Sequence, residues 1–290
     1  MKKSKHEIKA NTIPAFIMVG PVTLCMVLLV AIPLIYVAVM SFCSIDDYYN
    51  VIFKFTLANY ERLVSLDYLK IYARSLVIAL MTTVMCIIIG YPFAYIIART
   101  KSRRKKLLYM LVIIPFWTNS LIRIYGWRTF LGTNGWLNNL LQSLHIVNEP
   151  VDFLFHQGTT VLGMVYCLIP FMILPLYTTL SKLDKSVIEA ASDLGADNFQ
   201  TFIKVILPLS VPGIVSGVSM VFLPAMTNYV VLDMLYNSTY IMGSLIGSYF
   251  SAYDWHNGSM IALILLVIIC IVTLVSGDKE SENAGRGGLV

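Results

Sequence analysis

Residues that could catalyse a reaction or hold a metal ion are few in this sequence, and their spacing matches no catalytic pattern. The four histidines lie outside the long apolar stretches, at His6, His145, His156 and His256. The sequence contains no H-E-x-x-H, G-x-S-x-G or G-x-x-x-x-G-K-[ST] pattern, and so no zinc-protease helix, nucleophilic serine turn or nucleotide-binding loop. We therefore predict no catalytic residue, no metal site and no cofactor on this chain, and we expect that it is not an enzyme.

The five cysteines have the character of small apolar residues. Four lie inside apolar runs and one ends such a run; they are Cys25, Cys86, Cys167, Cys270 and Cys43. None has the spacing of a metal-binding or redox pair, and no disulfide framework is predicted.

The composition indicates that membrane-spanning helices position the polar residues. Of 290 residues, 58% are hydrophobic and 13% are charged, with a mean hydropathy of +0.75. A soluble domain carries about 25% charged residues. The first apolar run, residues 13–42, is too long for a signal-peptide core and no small-residue cleavage site follows it. The predicted fold class is an all-α membrane protein.

Six apolar stretches are predicted to cross the membrane, the last of them marginal in length. They are residues 13–42, residues 76–98, a third span that begins at Leu107, and residues 159–180, 209–232 and 260–275. Pro170 and Pro175 are expected to break the fourth span. Residues 41–74 and 233–258 are predicted to be polar loops.

The predicted domain organisation is a single six-helix transmembrane domain, residues 13–276, between two tails. Residues 1–12 form the N-terminal tail, and residues 277–290 are Gly-rich and charged, which predicts disorder. Within the domain, a short helix along the membrane interface is predicted after a cap at Asn134, because apolar residues there share one helical face. Those residues are Trp136, Leu137, Leu140, Leu141 and Leu144.

The distribution of Lys and Arg predicts the orientation of the chain. With the N-terminus inside, the inner segments carry 15 of the 21 Lys and Arg residues and the outer loops carry 4. Because cytoplasmic loops are enriched in these residues, we predict that both termini and the connection over residues 184–208 are cytoplasmic.

That connection, residues 184–208, is predicted to form two short helices. Asp184 is a predicted N-cap, Gly195 ends the first helix, and Asp197 or Asn198 caps the second. Apolar residues form a stripe on the second helix as far as Pro208, and they are Phe199, Phe202, Ile203 and Ile206. The helix pair forms either a rigid element between the spans or an amphipathic hairpin on the membrane surface.

Several function classes are compatible with six helices and no catalytic site. A channel remains open, because proline-interrupted spans with polar breaks can line a water-filled path. A secondary transporter is disfavoured, because such proteins carry ionisable residues in the mid-membrane and this chain has almost none there.

The pattern Glu189-Ala190-Ala191, three residues, Gly195, and then Leu207-Pro208 resembles the signature loop of permease subunits of ABC importers. The one departure is Val205, where the family has isoleucine. In that family the loop forms coupling helices that dock on a cytoplasmic ATPase. The resemblance therefore implies that Glu189, Ala190, Ala191 and Gly195 contact an ATPase subunit.

Further segments resemble the B-type permease of spermidine/putrescine importers over most of residues 59–247. They are residues 90–94, residues 115–126, residues 183–185 and residues 223–226. The resemblance implies a type I ABC importer permease fold in a bacterial inner or plasma membrane. It also implies a second, similar permease, a cytoplasmic ATPase dimer that uses ATP, and an external polyamine-binding protein. A permease for another small solute, such as an organic ion or a metal complex, is the alternative.

Polyamines are flexible polycations, which carboxylates bind at the amines and aromatic faces bind along the stem. The residues predicted for this path are Asp233, Tyr229, Trp117, Asn119, Tyr125 and Trp127. Aromatic belts occur at every membrane interface, so these side chains also have a purely structural interpretation. The polar residues 118–120 can equally satisfy neighbouring helices.

Two further features of the spans give structural predictions. On a straight helix Arg123 lies near the outer interface, where it can snorkel to water or pair with an acid. Gly213 and Gly217 form a G-x-x-x-G pattern, which predicts close packing of the fifth span on another helix.

Overall fold

The computed structural model describes residues 5–45, 51–52, 55–61, 65–236 and 241–286. The chain divides into two compact units, residues 1–64 with 248–265 and residues 65–247 with 266–290. Helices make up most of the described residues, which confirms the predicted all-α class. The strands in those ranges form one short antiparallel pair, β1 (Ser44–Ile45) and β2 (Val51–Ile52), and the remaining residues are turns and loops.

The helices follow the chain in this order: α1 (Lys5–Ser41), α2 (Ala58–Glu61), α3 (Leu66–Arg99), α4 (Ser102–Ile113), α5 (Ser120–Leu131), α6 (Trp136–Ser143), α7 (Gln157–Ser181), α8 (Lys185–Asp193), α9 (Asn198–Thr201), α10 (Leu207–Thr227), α11 (Tyr229–Leu235), α12 (Met242–Ser251) and α13 (Trp255–Arg286). A 3-10 turn, Ile114–Trp117, follows α4, and a π-helical segment, Phe202–Ile206, joins α9 to α10.

Four helices are long and apolar enough to cross a membrane, within the part of the chain that the structure describes. They are Val19–Ser41, Leu66–Arg99, Gln157–Ser181 and Asn198–Thr227. A fifth span results if the bent pair Arg103–Trp117 and Ser120–Ser143, which turns by 90°, counts as one. The apolar helix Trp255–Ile271 is shorter. The chain is therefore a multi-pass membrane protein.

Close packing of α3, α7 and α10 builds the core of the larger unit. A Cβ atom at Gly213 or Gly217 of α10 would lie 2.7 Å from Thr179 Oγ1 or Met172 Sδ of α7. On the other side of Met172, a Cβ atom at Gly90 of α3 would lie 3.1 Å from its Cγ atom. The predicted G-x-x-x-G contact is therefore confirmed, and its partner is α7.

The prediction that prolines break the fourth span is wrong, because α7 runs without interruption through Pro170 and Pro175. A proline removes one backbone hydrogen bond, but packing against neighbouring helices holds a membrane helix straight enough to continue. Pro208 is also accommodated within a continuous helix, here by a change in the backbone hydrogen bonds before it. The Leu207 N–H bonds to the Phe202 carbonyl in a π-helical turn, so the helix continues past this proline.

Several predicted boundaries are corrected. The second span begins at Leu66, so the loop over residues 41–74 is shorter than expected, and the cap of α6 is Gly135 instead of Asn134. The loop predicted over residues 233–258 contains the end of α11 and all of α12. Residues 277–286, which were predicted to begin a disordered tail, continue α13.

The smaller unit is organised around aromatic and polar contacts beside α1. Phe42 stacks on Phe55 and on Tyr60, with ring centroids 5.2 Å apart in both pairs, and the Tyr60 hydroxyl donates to Ser41 Oγ at 2.9 Å. In the same unit, Asp254 caps α13 by accepting hydrogen bonds from the backbone N–H and the side-chain amide of Asn257.

Candidate functional site

The signature loop folds as a helix pair with the predicted caps. Asp184 accepts a hydrogen bond from the Ser186 N–H at 3.2 Å, and Asp197 accepts one from the Gln200 N–H at 2.7 Å. Both carboxylates satisfy N–H groups that have no partner within their own helices. The cap predictions are therefore confirmed, with Asp197 as the second cap.

Gly195 reverses the chain at the end of α8. Its φ angle is +82°, which an L-amino acid with a side chain adopts only under strain. The Gly195 N–H bonds to the Ser192 carbonyl at 2.9 Å, and the Ala196 N–H bonds to the Ala191 carbonyl at 3.0 Å. These bonds close the helix end in the manner of a glycine C-terminal motif, so the prediction that Gly195 ends the first helix is confirmed.

The outer surface of the helix pair is open and partly apolar. No residue of α8 is buried, and Glu189 and Ala190 are exposed. At the turn between the helices, Leu194 is 89% exposed and Phe199 is 71% exposed. Exposed apolar side chains of this size have the character of a contact surface, because neither is covered by the described part of this chain.

An anchor that was not anticipated holds the pair on the core. Phe202 packs edge-on against the Tyr91 ring, with centroids 5.6 Å apart, and against the Tyr95 ring at 6.4 Å. The buried Tyr91 hydroxyl lies 2.9 Å from Ser210 Oγ, and Ser210 itself donates to the Leu207 carbonyl. The Tyr91 hydroxyl is thus the donor to Ser210, and it ties α3 to α10 beside the helix pair. The apolar stripe containing Phe202 was the available sequence signal.

The predicted substrate residues Trp117 and Asn119 lie at the bend between α4 and α5. Trp117 ends the 3-10 turn and is 83% exposed. The Asn119 side chain accepts a hydrogen bond from the Leu121 N–H at 2.9 Å and caps α5. The polar break therefore has a structural role, because it ends one helix and starts another at 90°.

Trp127 and Tyr125 point to different sides of α5. The Trp127 ring packs edge-on against Tyr166 of α7 and Phe130, with centroids 5.6 and 5.7 Å apart, whereas Tyr125 is exposed. Residues two positions apart on a helix are separated by about 200° around its axis. Tyr125 and Trp127 therefore cannot both face one path unless the path wraps around α5.

Tyr229 and Asp233 lie on α11, and both are exposed. This helix packs close to α7: a Cβ atom at Gly163 would meet Leu235 Cδ1 and Val231 Cγ1 of α11, and Ile124 Cδ1 of α5 lies 3.9 Å away. The structure thus brings α5 and α11 to the same point on α7. Among the described residues, no hydrogen bond, ion pair or ring contact joins any two of the six predicted path residues.

The bend removes the basis on which the height of Arg123 was predicted. Its height was estimated along a straight helix, but the chain turns by 90° between Trp117 and Ser120. The guanidinium lies over the Tyr166 ring, 5.7 Å from the centroid, and its Nε atom is buried without a hydrogen-bond partner. No ion pair to an acid is formed by Arg123 within the described ranges.

A cavity of about 340 Å³ opens beside this arginine. It is lined by Arg123, Gly126, Trp127, Phe130 and Tyr166. The aromatic faces can bind methylene groups or a cation, while the arginine opposes a cation that comes close. Trp127 is the only predicted path residue that lines this cavity.

Asn138 is a structural residue that the sequence did not reveal. It is fully buried, its amide donates to the Gly132 carbonyl at 3.0 Å and to the Val151 carbonyl at 2.9 Å, and its Oδ1 atom accepts from the Val151 N–H at 2.9 Å. These bonds fix the connection between α6 and α7. One asparagine among polar loop residues carries no sequence signal of this role.

Residues 90–277 match the family described as the binding-protein-dependent transport system inner membrane component. The chain is 41% identical over 252 residues to the spermidine/putrescine transport system permease protein PotB of Escherichia coli K12. This alignment covers 86% of this chain and 92% of that protein. It is 40% identical over 252 residues to PotB of Haemophilus influenzae, with 86% and 88% coverage.

The fold is also similar to a chain in the crystal structure of a bacterial alginate ABC transporter in complex with an alginate pentasaccharide-bound periplasmic protein. The TM-score is 0.76 at 16% sequence identity, and the match covers 95% of this chain and 96% of that one. At this identity the likeness concerns the fold alone. It agrees with the permease architecture expected from the sequence.

Proposed function

This chain belongs to the family of binding-protein-dependent transport system inner membrane components, as a multi-pass permease subunit of an ABC importer, and we propose that the solute it passes is a polyamine of the spermidine and putrescine class. The observation that carries the solute assignment is the 41% identity over 86% of the chain to a spermidine/putrescine permease. The proposed partners are a second, similar permease, a cytoplasmic ATPase dimer that hydrolyses ATP, and an external polyamine-binding protein.

The proposed topology has six spans with both termini cytoplasmic. The bent pair around Trp117 provides the third span, and the apolar part of α13 provides the sixth. The imbalance of Lys and Arg supports this orientation. Attaching a reporter that is active only in the cytoplasm to either terminus tests it, and an inactive reporter at one end only would contradict an even number of spans.

The helix pair of α8 and α9 is proposed as the ATPase-docking element, with Glu189, Ala190, Ala191 and Gly195 at the contact. Support comes from the open surface of α8 and from the exposed Leu194. A partner groove would cover this apolar side chain, whereas the acid would pair with a cation at the rim.

Glu189→Lys tests the docking role. It should abolish ATP-dependent uptake while membrane insertion stays normal, because a cation replaces the acid at the contact. Glu149→Lys is the matched control, since Glu149 is also exposed and lies in a loop predicted to face outside. Unchanged coupling in Glu189→Lys, or equal loss in both variants, would argue against docking.

The proposed outer path combines the exposed Asp233 and Tyr229 of α11 with Trp117, Asn119, Tyr125 and Trp127. A carboxylate that faces water can attract an amine by charge, and aromatic faces bind the methylene stem. Asp233→Asn should therefore raise the KM for uptake by about fivefold, corresponding to about 1 kcal/mol. Asp152→Asn is the matched control, because that carboxylate is also exposed and belongs to another outer loop.

The overall proposal is tested by reconstitution. The chain is copurified with its partner permease, ATPase and binding protein, and ATP hydrolysis is measured with putrescine, spermidine, an amino acid and an organic anion. Selective stimulation by the polyamines is expected. Stimulation only by another solute would overturn the substrate assignment, and solute flux through liposomes that contain this chain alone would indicate a self-contained channel or carrier.

A further inference from the structure

A basic cavity lies where α3 ends and α4 begins. Its volume is about 760 Å³. The lining residues are Arg99, Thr100, Lys101, Arg103, Arg104 and Leu107. Four of these six side chains are cationic, and the cavity lies on the side of the membrane that the Lys and Arg distribution predicts to be cytoplasmic.

The charge in this cavity is not neutralised by the chain itself. Arg99 packs its guanidinium over the Tyr95 ring at 5.8 Å, but its Nε and Nη2 atoms are buried and have no hydrogen-bond partner. In the part of the chain that is described, the ion pairs involve other residues, so no acid opposes these cations. Buried donors without partners are rare because they lose their hydrogen bonds to water and gain none in return.

The backbone adds further positive potential at the same place. The N-cap of α4 is Lys101, whose side chain makes no capping hydrogen bond, and the first turn contains no acidic residue. Arg103 and Arg104 stand instead at the positive end of the helix dipole, where a cation is unfavourable and an anion is favourable. An anion in the cavity would therefore be favoured both by the cationic side chains that line it and by the N-terminus of α4.

The surroundings of the cavity indicate that this anion carries acyl chains. Ile96 precedes the cavity on α3, Leu107 lines it on α4, and Leu111 follows on α4; all three side chains are exposed. Elsewhere on α4, Tyr109 contacts the Tyr177 ring of α7, with centroids 5.0 Å apart. One side of α4 is thus held by the protein, while exposed apolar side chains flank the charged cavity as lipid tails would require.

We propose that this cavity binds the phosphate headgroup of an anionic phospholipid such as phosphatidylglycerol. Arg99 is the central ligand, because it lines the cavity and forms no ion pair with an acid among the described residues. Lys101, Arg103 and Arg104 surround the headgroup, and the acyl chains lie along the exposed apolar side chains of α3 and α4.

Native mass spectrometry of the full chain in a neutral detergent tests the proposal, with phosphatidylglycerol and phosphatidylcholine titrated in parallel. The anionic lipid should bind more tightly, and Arg99→Gln should weaken its binding by about fivefold, the effect of one cation near a lipid surface. Lys101→Gln, at an exposed rim position, should weaken it similarly even if the arginine variant folds poorly. Lys106→Gln is the control, because Lys106 is exposed on the same helix but does not line the cavity.

Four results would overturn the assignment. The first is equal affinity for the two lipids. The second is an equal loss in Lys106→Gln and Lys101→Gln, which would indicate a general surface charge effect. The third is displacement of phosphatidylglycerol by millimolar inorganic phosphate, which would indicate a site for a soluble anion. The fourth is a Lys101→Gln variant that keeps its lipid affinity but loses copurification with the ATPase, which would indicate that the cavity binds an acidic protein surface.

Discussion

The close approach of α10 to α7 makes Gly213→Ala a test of the core packing. The added Cβ atom would lie 2.7 Å from Thr179 Oγ1, 2.8 Å from Thr179 Cβ and 3.1 Å from the carbonyl oxygen of Pro175. A rotamer change can move only the hydroxyl, because the other two atoms are fixed to the backbone of α7. The two helices must therefore move apart by a few tenths of an ångström or more.

The expected magnitude follows from two opposing terms. Overpacking a well-packed contact costs about 1–3 kcal/mol. Replacing glycine by alanine inside a helix contributes about 1 kcal/mol in the opposite direction. Gly126→Ala is the matched control, since nothing lies within 4 Å of a Cβ atom at that helical position. The two variants should therefore differ in stability by about 1–3 kcal/mol, with Gly213→Ala the less stable.

The assay is thermal unfolding of both variants in the same detergent. A difference of 1 kcal/mol corresponds to about 2–4 °C for a chain of roughly this size. Gly213→Ala should therefore unfold several degrees below Gly126→Ala. A midpoint for Gly213→Ala at or above that of Gly126→Ala would refute the close approach of the two helices.

Three further predictions concern hydrogen bonds and backbone geometry. Tyr91→Phe removes the donor to Ser210 and should lower the free energy of unfolding by about 0.5–1.5 kcal/mol, measured by the same thermal assay; an unchanged midpoint would contradict the bond. Asn138→Ala leaves buried loop groups without partners and should cost about 1–3 kcal/mol, whereas the exposed neighbour Asn139→Ala should cost less than about 0.5 kcal/mol; equal costs would contradict the buried bridge. Gly195→Ala forces a side chain into positive φ at about 1–2 kcal/mol and should lower ATP-dependent uptake, while Gly195→Asn should retain more activity because asparagine tolerates this conformation; equal uptake by both variants would refute the reasoning.

The helix pair was predictable in detail because its determinants are local. Asp184 and Asp197 cap N–H groups within three residues, and Gly195 ends α8 through bonds within its own turn. Residue types at such short spacing determine helix ends with little help from the rest of the fold. What was not predictable is that α9 continues into α10, because only the π-helical segment before Pro208 makes this possible.

The transport path was less predictable, because the depth of a residue in the membrane cannot be estimated by counting along a helix that bends. Arg123 was placed by counting residues from Leu107, and the 90° turn before Ser120 removes the basis of that count. The fifth span was predicted to run from residue 209 to residue 232, just before Asp233, but α10 ends at Thr227 and a separate helix, α11, follows Asn228. On α5, Tyr125 is exposed whereas Trp127 packs against Tyr166, although the two residues lie only two positions apart.

By itself, the sequence determined the membrane class, the caps of the helix pair and the family, since these depend on composition and on residues close together in the chain. Only the tertiary structure decided that Met172 lies between two glycine-bearing helices, that the Tyr91 hydroxyl bonds to Ser210, and that Arg99 lines a basic cavity. These features join residues from different helices or depend on which face of a helix is covered. Helix packing sets both, and no periodicity within one helix specifies its partner.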